Sequence, residues 1–253
     1  MSSDLFVKNP HSILPALQNR PKDVLEVIFP RTRSEGVWDE IESLAMKNKV
    51  RTRELSGRDV SPNDRKGPPP KAGQNIVGRD SSHGATIRAK TPESVESLFR
   101  NVDGNTRGVW LALDSLQDPQ NLGAIFRSAA FFGIKGIILT SERSAPMSAT
   151  VYDISSGGVE AVPYVPIINL QRAFEKAKEA GLWILGTSEH AKESIFKIKN
   201  DRPWLLVMGN EENGIRRLTE EACDMMCTIP AKGDVVTSLN VSVATGILLG
   251  QLS

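Results

Sequence analysis

Asn121 opens the stretch Asn121-Leu122-Gly123-Ala124-Ile125-Phe126-Arg127, and Ser238, Leu239 and Asn240 stand just before the apolar run Val241 to Leu249. Asparagine, serine and arginine side chains orient and stabilise a polar substrate through hydrogen bonds of fixed geometry. Between these stretches, Met208-Gly209-Asn210-Glu211-Glu212-Asn213-Gly214 places glycines at both ends of an acidic loop. The glycines allow a backbone to approach a ligand closely. The acids disfavour a polyphosphate there. The Lys-Ser/Thr of a phosphate-binding loop and the G-x-G-x-x-G of a dinucleotide fold are both missing. Each of these residues also has a purely structural reading. Asn121, Ser238 or Asn240 could cap a helix, and Arg127 could be a surface ion-pair partner.

The elements that must position these residues favour the functional reading. Val109-Trp110-Leu111-Ala112-Leu113 is a short apolar run ending at Asp114, and a helix is predicted from about Asn121 to Gly133. Gly136 to Thr140, Leu182 to Gly186, Trp204 to Met208 and Met226 to Ile229 read as further strands, with a helix from Leu170 stopped by Gly181. Apolar strands alternating with amphipathic helices predict an α/β fold with a parallel sheet covered on both faces. Ligands bind such sheets at the carboxyl ends of the strands. Asn121, Arg127, the Gly209–Gly214 loop and the segment Ile229-Pro230-Ala231-Lys232 all follow strands at those ends.

Residues before 108 have a different character. Ile13, Leu14 and Leu17 form a helical stripe, Val24 to Ile28 a strand, Trp38, Ile41 and Leu44 a second helix, and Val50 to Leu55 another strand. The Pro/Gly/Lys/Arg-rich stretch at 58–80 reads as a flexible loop, and His83 to Arg88 returns to strand character. The expected organisation is a small α/β domain at 1–95, a linker at 96–107 and a second domain at 108–253, with Thr91-Pro92-Glu93 opening a short helix between them.

The chain has a formal net charge of +1, but residues 47–90 carry 11 basic against 4 acidic side chains. Lys49, Arg51 and Arg53 alternate with Lys47, which on one strand would point them all to one face, and Arg88 and Lys90 follow. Clustered Lys and Arg displace counterions from nucleic acid, so the segment is a candidate phosphate-backbone surface. No apolar run approaches the roughly 18 residues of a membrane span. No signal-peptide pattern opens the chain, so a cytoplasmic protein is expected, or a mitochondrial-matrix one if a presequence has been removed. Cys223 and Cys227 are read as reduced, partly buried thiols, and no metal-ligand spacing is present.

Taken in order, the three motifs resemble the SpoU branch of the SPOUT superfamily, S-adenosylmethionine-dependent RNA ribose 2′-O-methyltransferases. Asn121, Gly123 and Arg127 are similar to its Asn-x-Gly-x-x-x-Arg element. Gly209, Glu211 and Gly214 are similar to its Gly-x-Glu-x-x-Gly loop, and Ser238 to Ser242 to its Ser-Leu-Asn-Val-Ser element. The start, Asn9-Pro10-His11-Ser12-Ile13-Leu14, resembles the small ribosomal-protein-like RNA-binding domain found before many members, although Asn9-Pro10 stands where Gly usually precedes the His. Ser156-Gly157-Gly158-Val159 stands where the family usually has Ser-Ala-Gly-Ala.

The resemblance implies a deep trefoil knot in the second domain, a homodimer, and a site completed near the subunit interface. It implies a cofactor pocket at Met208, Gly209, Asn210, Gly214, Ile229, Ala231, Leu239 and Asn240, without metal. It assigns Arg127, Asn121, Glu211, Ser238 and Asn240 to catalysis, Arg127 as the base or, because a guanidinium is a poor base, as the stabiliser of the developing alkoxide and the neighbouring phosphate, with the others orienting Arg127 and the ribose or Glu211 acting as the base. The N-terminal domain tilts the expected substrate toward large-subunit rRNA. A tRNA substrate and an inactive RNA-binding assembly protein on the same fold are the alternatives. Retention of Asn121, Arg127, Glu211, Ser238 and Asn240 together speaks against inactivity. Nucleotide hydrolysis would need a phosphate-binding loop or a paired metal site.

Overall fold

A computed structural model describes residues 4–30, 36–55, 83–103, 105–210, 213–236 and 238–253. The stretch 58–80, expected as a loop, and Glu211 lie outside the described residues. The chain divides into two compact units, Met1–Ala89 and Lys90–Ser253.

In the first unit, strands β1 (Asp4–Val7), β2 (Val24–Phe29), β3 (Arg51–Glu54) and β4 (Gly84–Arg88) form one sheet in the order β1-β4-β2-β3. Helices α1 (Pro10–Asn19) and α2 (Val37–Lys47) bury Ile13, Ala16, Leu17, Trp38, Ile41 and Ala45. Asn9 caps α1, accepting the His11 amide at 3.0 Å, and Pro10 occupies the first turn, where no amide bond is lost. The basic alternation is interrupted by this geometry. Lys47 ends α2 and Lys49 has φ 57° in the turn, so only Arg51 and Arg53 share the expected strand face. Both reach Glu26 on β2, at 3.2 and 3.7 Å.

The second unit is built on seven parallel strands. In chain order these are β5 (Val109–Leu113), β6 (Ile137–Thr140), β7 (Tyr164–Ile167), β8 (Trp183–Thr187), β9 (Glu193–Ser194), β10 (Trp204–Met208) and β11 (Met225–Thr228). Their order in the sheet is β7-β6-β5-β10-β8-β11-β9. Every residue of β5 and β10 is buried, as expected for strands covered on both faces. β7 is absent from the strands read in the sequence because Pro163 and Pro166 interrupt its pattern. Pro166 is tolerated because β7 is an edge strand with no further ladder to feed.

The helices are α3 (Val95–Leu98), α4 (Pro119–Phe131), α5 (Ala149–Ser155), α6 (Gly158–Ala161), α7 (Leu170–Glu179), α8 (Arg217–Glu221) and α9 (Val241–Leu252). Residues 96–107, expected as a linker, begin inside this unit's core. Val95, Leu98 and Phe99 are buried against Trp110, Ala173 and Ala177. The short helix there is capped by Ser94, whose Oγ accepts the Ser97 amide at 3.0 Å. Lys90 also leaves the solvated basic segment. Its Nζ donates to the carbonyls of Val159, Glu160 and Val162 at 2.9 to 3.1 Å, around the C-terminal end of α6. The Tyr152 hydroxyl accepts from the Lys90 amide, and the Tyr164 hydroxyl donates to the Lys90 carbonyl, each at 2.7 Å.

Candidate active site

From β5 the chain steps to β6 and β7 on one side, and the later strands lie on the other. A crevice is expected where this direction reverses, beyond the carboxyl ends of the strands. A cleft of about 790 Å³ opens beyond the carboxyl ends of β8, β10 and β11, walled by the segments that follow them and by the start of α9. That volume lies within the usual range for a small-molecule site. Met208, Gly209, Asn210, Gly214, Ile229, Ala231, Ser238 and Leu239 all line it.

Past β10 the chain pairs with itself across Asn210 and Gly214. Asn210 and Gly214 exchange two backbone hydrogen bonds at 2.9 Å, and Gly214 takes φ 63°. A β-carbon on Gly209 would run into the Gly214 carbonyl and the Ile215 amide, so only glycine fits. The result is a wall of backbone rather than side chain. Ile229, Val236 and Leu239 add apolar side chains to the lining, the last 49% exposed in the protein alone. A backbone cradle and an exposed leucine in one cleft suit a flat heteroaromatic group held by amide contacts and apolar stacking. Among the described residues no group of His, Cys, Asp or Glu is arranged to hold a metal ion.

The polar residues are brought in from two directions. Asp118, not Asn121, caps α4, its carboxylate accepting the Gln120 amide at 2.8 Å. Asp118 precedes Pro119, and a proline at the first helical position places the cap one residue earlier. Asn121 is thereby carried into the first turn, buried, where its Oδ1 accepts Asn240 Nδ2 at 3.0 Å. Asn240 in turn caps α9, accepting the Ser242 amide at 2.9 Å and the Ser242 hydroxyl at 2.6 Å through Oδ1. The structure therefore joins Asn121 to the Ser238–Asn240 segment at the cleft. Arg127 stands apart from them. It is exposed on α4, lies outside the cleft wall, and makes no ion pair among the described residues. Six residues on from Asn121, it is turned well away from it around the helix axis.

Gly158 fixes the other side of that helix. A β-carbon there would lie 2.5 Å from the Phe126 carbonyl oxygen and 2.9 Å from the Arg127 amide. The segment Ser156-Gly157-Gly158 thus packs directly on the α4 backbone at the arginine.

Several residues of the site escaped the sequence reading. Thr187, the last residue of β8, and Ser188, Glu189 and His190 after it line the cleft. Their signal was positional only, the carboxyl end of a predicted strand. Asp114 is fully buried at the end of β5 and paired with Arg216 at 2.7 Å. Cys227 also lines the cleft, and Cys223 lies on the turn before β11. Burial pushes both thiols up to about 12, so they stay protonated and unreactive as nucleophiles.

Residues 108–250 match the SpoU rRNA Methylase family. The chain is 38% identical over 174 residues to the 23S rRNA (guanosine-2′-O-)-methyltransferase RlmB of Pseudomonas aeruginosa, covering 67% of this chain and 70% of that one. It is 32% identical to the protein of the same name from Nitrosomonas europaea, over 98% of this chain and 91% of that one. In fold it is similar to the SpoU methyltransferase AviRb from Streptomyces viridochromogenes, with a TM-score of 0.75, 19% identity, and coverage of 98% of this chain and 88% of that one.

Proposed function

The chain belongs to the SpoU rRNA methylase family, and from that premise we propose that it methylates a ribose 2′-hydroxyl of large-subunit rRNA using S-adenosylmethionine. The observation that carries the reading at the level of atoms is the Asn121–Asn240 bond beside the cleft. It joins two of the three motifs at the wall formed by the third.

S-adenosylmethionine supplies a methyl group on a sulfonium, which leaves without further activation. Gly209, Ile229, Ala231 and Leu239 hold its adenosyl part by backbone and apolar contact, with Met208, Asn210, Gly214 and Asn240 around them. A ribose hydroxyl is a weak acid, so its proton must be withdrawn as the new bond forms. A guanidinium is a poor base in water, and Arg127 is assigned to stabilising the developing alkoxide and the neighbouring phosphate. Asn121, Ser238 and Asn240 orient the ribose, and Glu211 orients Arg127 and would take the hydroxyl proton as the base.

Arg127 lies off the wall of its own cleft, which supports a homodimer. Phe131, 83% exposed one turn after Arg127, together with Val243 and Ile247 on the outer side of α9, makes an apolar face beside the arginine. α9 is apolar nearly all round, the pattern of a helix that is covered. A second copy on this face would bring one protomer's Arg127 toward its partner's cleft. The N-terminal unit contributes RNA-backbone contacts through Lys49, Arg51, Arg53 and Arg88. The C-terminal segment is threaded as a trefoil knot, and the protein works in the cytoplasm.

The test is to map 2′-O-methyl sites in total RNA with and without the protein, alongside calorimetry with S-adenosylmethionine. Arg127→Ala should abolish methyl transfer and leave cofactor affinity and folding nearly intact, and Arg127→Lys should fail too. Absence of any binding of S-adenosylmethionine, with RNA present, would remove the methyltransferase reading.

A further inference from the structure

The dipeptide at the end of β5 grips both ends of the cofactor loop. Where the chain enters the loop, the Asp114 amide donates to the Met208 carbonyl at 2.8 Å. Within it, Asn210 Nδ2 donates to the Ser115 carbonyl at 3.0 Å. Where the chain leaves, Arg216 Nη2 donates to Asp114 Oδ1 at 2.7 Å and the Arg216 amide to Oδ2 at 3.4 Å. Thr219 on α8 adds its hydroxyl to Oδ2 at 2.9 Å, and the Ser115 hydroxyl donates to Oδ1 at 3.1 Å. Ser115 holds φ 63°, a left-handed backbone unusual for serine, and its amide donates to Thr140 Oγ1 at 2.9 Å.

A fully buried carboxylate is costly unless it is paired and hydrogen-bonded. Asp114 meets that need through Ser115 beside it and through the chain that follows the cofactor loop. It therefore rewards one arrangement of that chain over all others. Neither Asp114 nor Arg216 lines the cleft, so neither touches what binds there. Arg216 is 49% exposed, and a core in this unit exists without it.

We infer that Asp114 and Arg216 form a clasp that holds Met208, Gly209, Asn210 and Gly214 in place at the cleft, and so govern affinity for S-adenosylmethionine without touching it. They are positioning residues for the proposed reaction, and the inference rests on that proposal. Thr219 and Asn210 act with them. Loss of the clasp frees the loop to adopt shapes in which Gly209 and Gly214 no longer present the same wall, and the bound state then bears the cost of ordering it.

The experiment uses the full chain and compares wild type with Arg216→Met, Arg216→Lys and Thr219→Val. Calorimetry measures S-adenosylmethionine binding, filter binding measures RNA affinity, and methylation assays give kcat and KM separately. Arg216→Met keeps most of the side-chain stem and should raise Kd and KM for S-adenosylmethionine by about tenfold, or about 1.4 kcal/mol. Arg216→Lys should recover part of this loss. RNA affinity and kcat at saturating cofactor should change by less than about threefold, a split that a general loss of stability would not produce. Adding Asp114→Asn to Arg216→Met should cost less than the two single effects combined, because both remove one interaction. Wild-type cofactor affinity in Arg216→Met and Thr219→Val would overturn the clasp alone. Failure of the wild-type protein to bind would overturn the methyltransferase reading and the clasp with it.

Discussion

Asn240 donates from Nδ2 to Oδ1 of Asn121 at 3.0 Å, across 119 residues of sequence. The direction of that bond is set locally. Asn240 Oδ1 already accepts the Ser242 amide and hydroxyl at the start of α9, so only its amide nitrogen faces Asn121. One side chain thus caps a helix and fixes a residue of the first motif.

The two roles separate by substitution. Asn240→Asp keeps the capping oxygen and adds a charge that a helix N-terminus favours, but turns a carboxylate oxygen toward Asn121. Thermal unfolding should show stability within about 1 kcal/mol of wild type. Single-turnover methylation should fall by at least about tenfold, roughly 1.4 kcal/mol of barrier. A fully active Asn240→Asp protein would show that the pairing with Asn121 plays no part in catalysis.

Gly158→Ala tests the close approach behind Arg127. The added methyl meets backbone atoms of Phe126 and Arg127, which cannot rotate away. Destabilisation of about 1–3 kcal/mol is expected, read by denaturant unfolding, together with reduced activity at temperatures where the protein is still folded. Unchanged stability would mean that α6 and α4 can part at no cost.

On β3, Arg51 and Arg53 share one carboxylate, Glu26, and part of their charge is answered before RNA arrives. Charge reversal of Lys49, Arg51 and Arg53 should weaken RNA binding and flatten its salt dependence, by roughly 0.7–0.9 in log–log slope for each phosphate no longer neutralised. Glu26→Gln should act in the opposite sense and tighten binding. Salt titrations that leave the slope unchanged in both variants would assign this edge to solvated surface.

The cysteines give a pH prediction. Burial holds Cys223 and Cys227 at about 12 in the folded chain, above the usual 9 of a free thiol. The folded state therefore keeps protons that the unfolded chain releases between about pH 9 and 12. Their contribution to stability is complete below pH 9 and is lost as pH rises through that window. Native protein should resist alkylation by iodoacetamide at pH 8, while unfolded protein reacts. Rapid modification of the folded protein at pH 8 would contradict it.

The sequence by itself determined the elements whose pattern is local. The five-residue runs at Val109 and Trp204 are apolar throughout because both faces are covered, and they were readable as buried parallel strands. The glycine wall of the cleft was readable because Gly209 and Gly214 are required by the backbone they form, and a required glycine is visible in one dimension. The cap of α4, the sharing of Glu26 by Arg51 and Arg53, and the anchoring of Lys90 on α6 were not. Each depends on which partner comes within about 3 Å, and partners distant in sequence leave no periodic trace.

The same holds for the clasp at Asp114. In the sequence that aspartate is only the end of an apolar run, and Arg216 is one of two adjacent arginines. Tertiary structure decided that this acid would be buried, and burial converts an ordinary charge into a demand for one specific arginine, 102 residues away. The sequence carries the chemistry of each group. The fold supplies the dielectric and the neighbour that give the group its role.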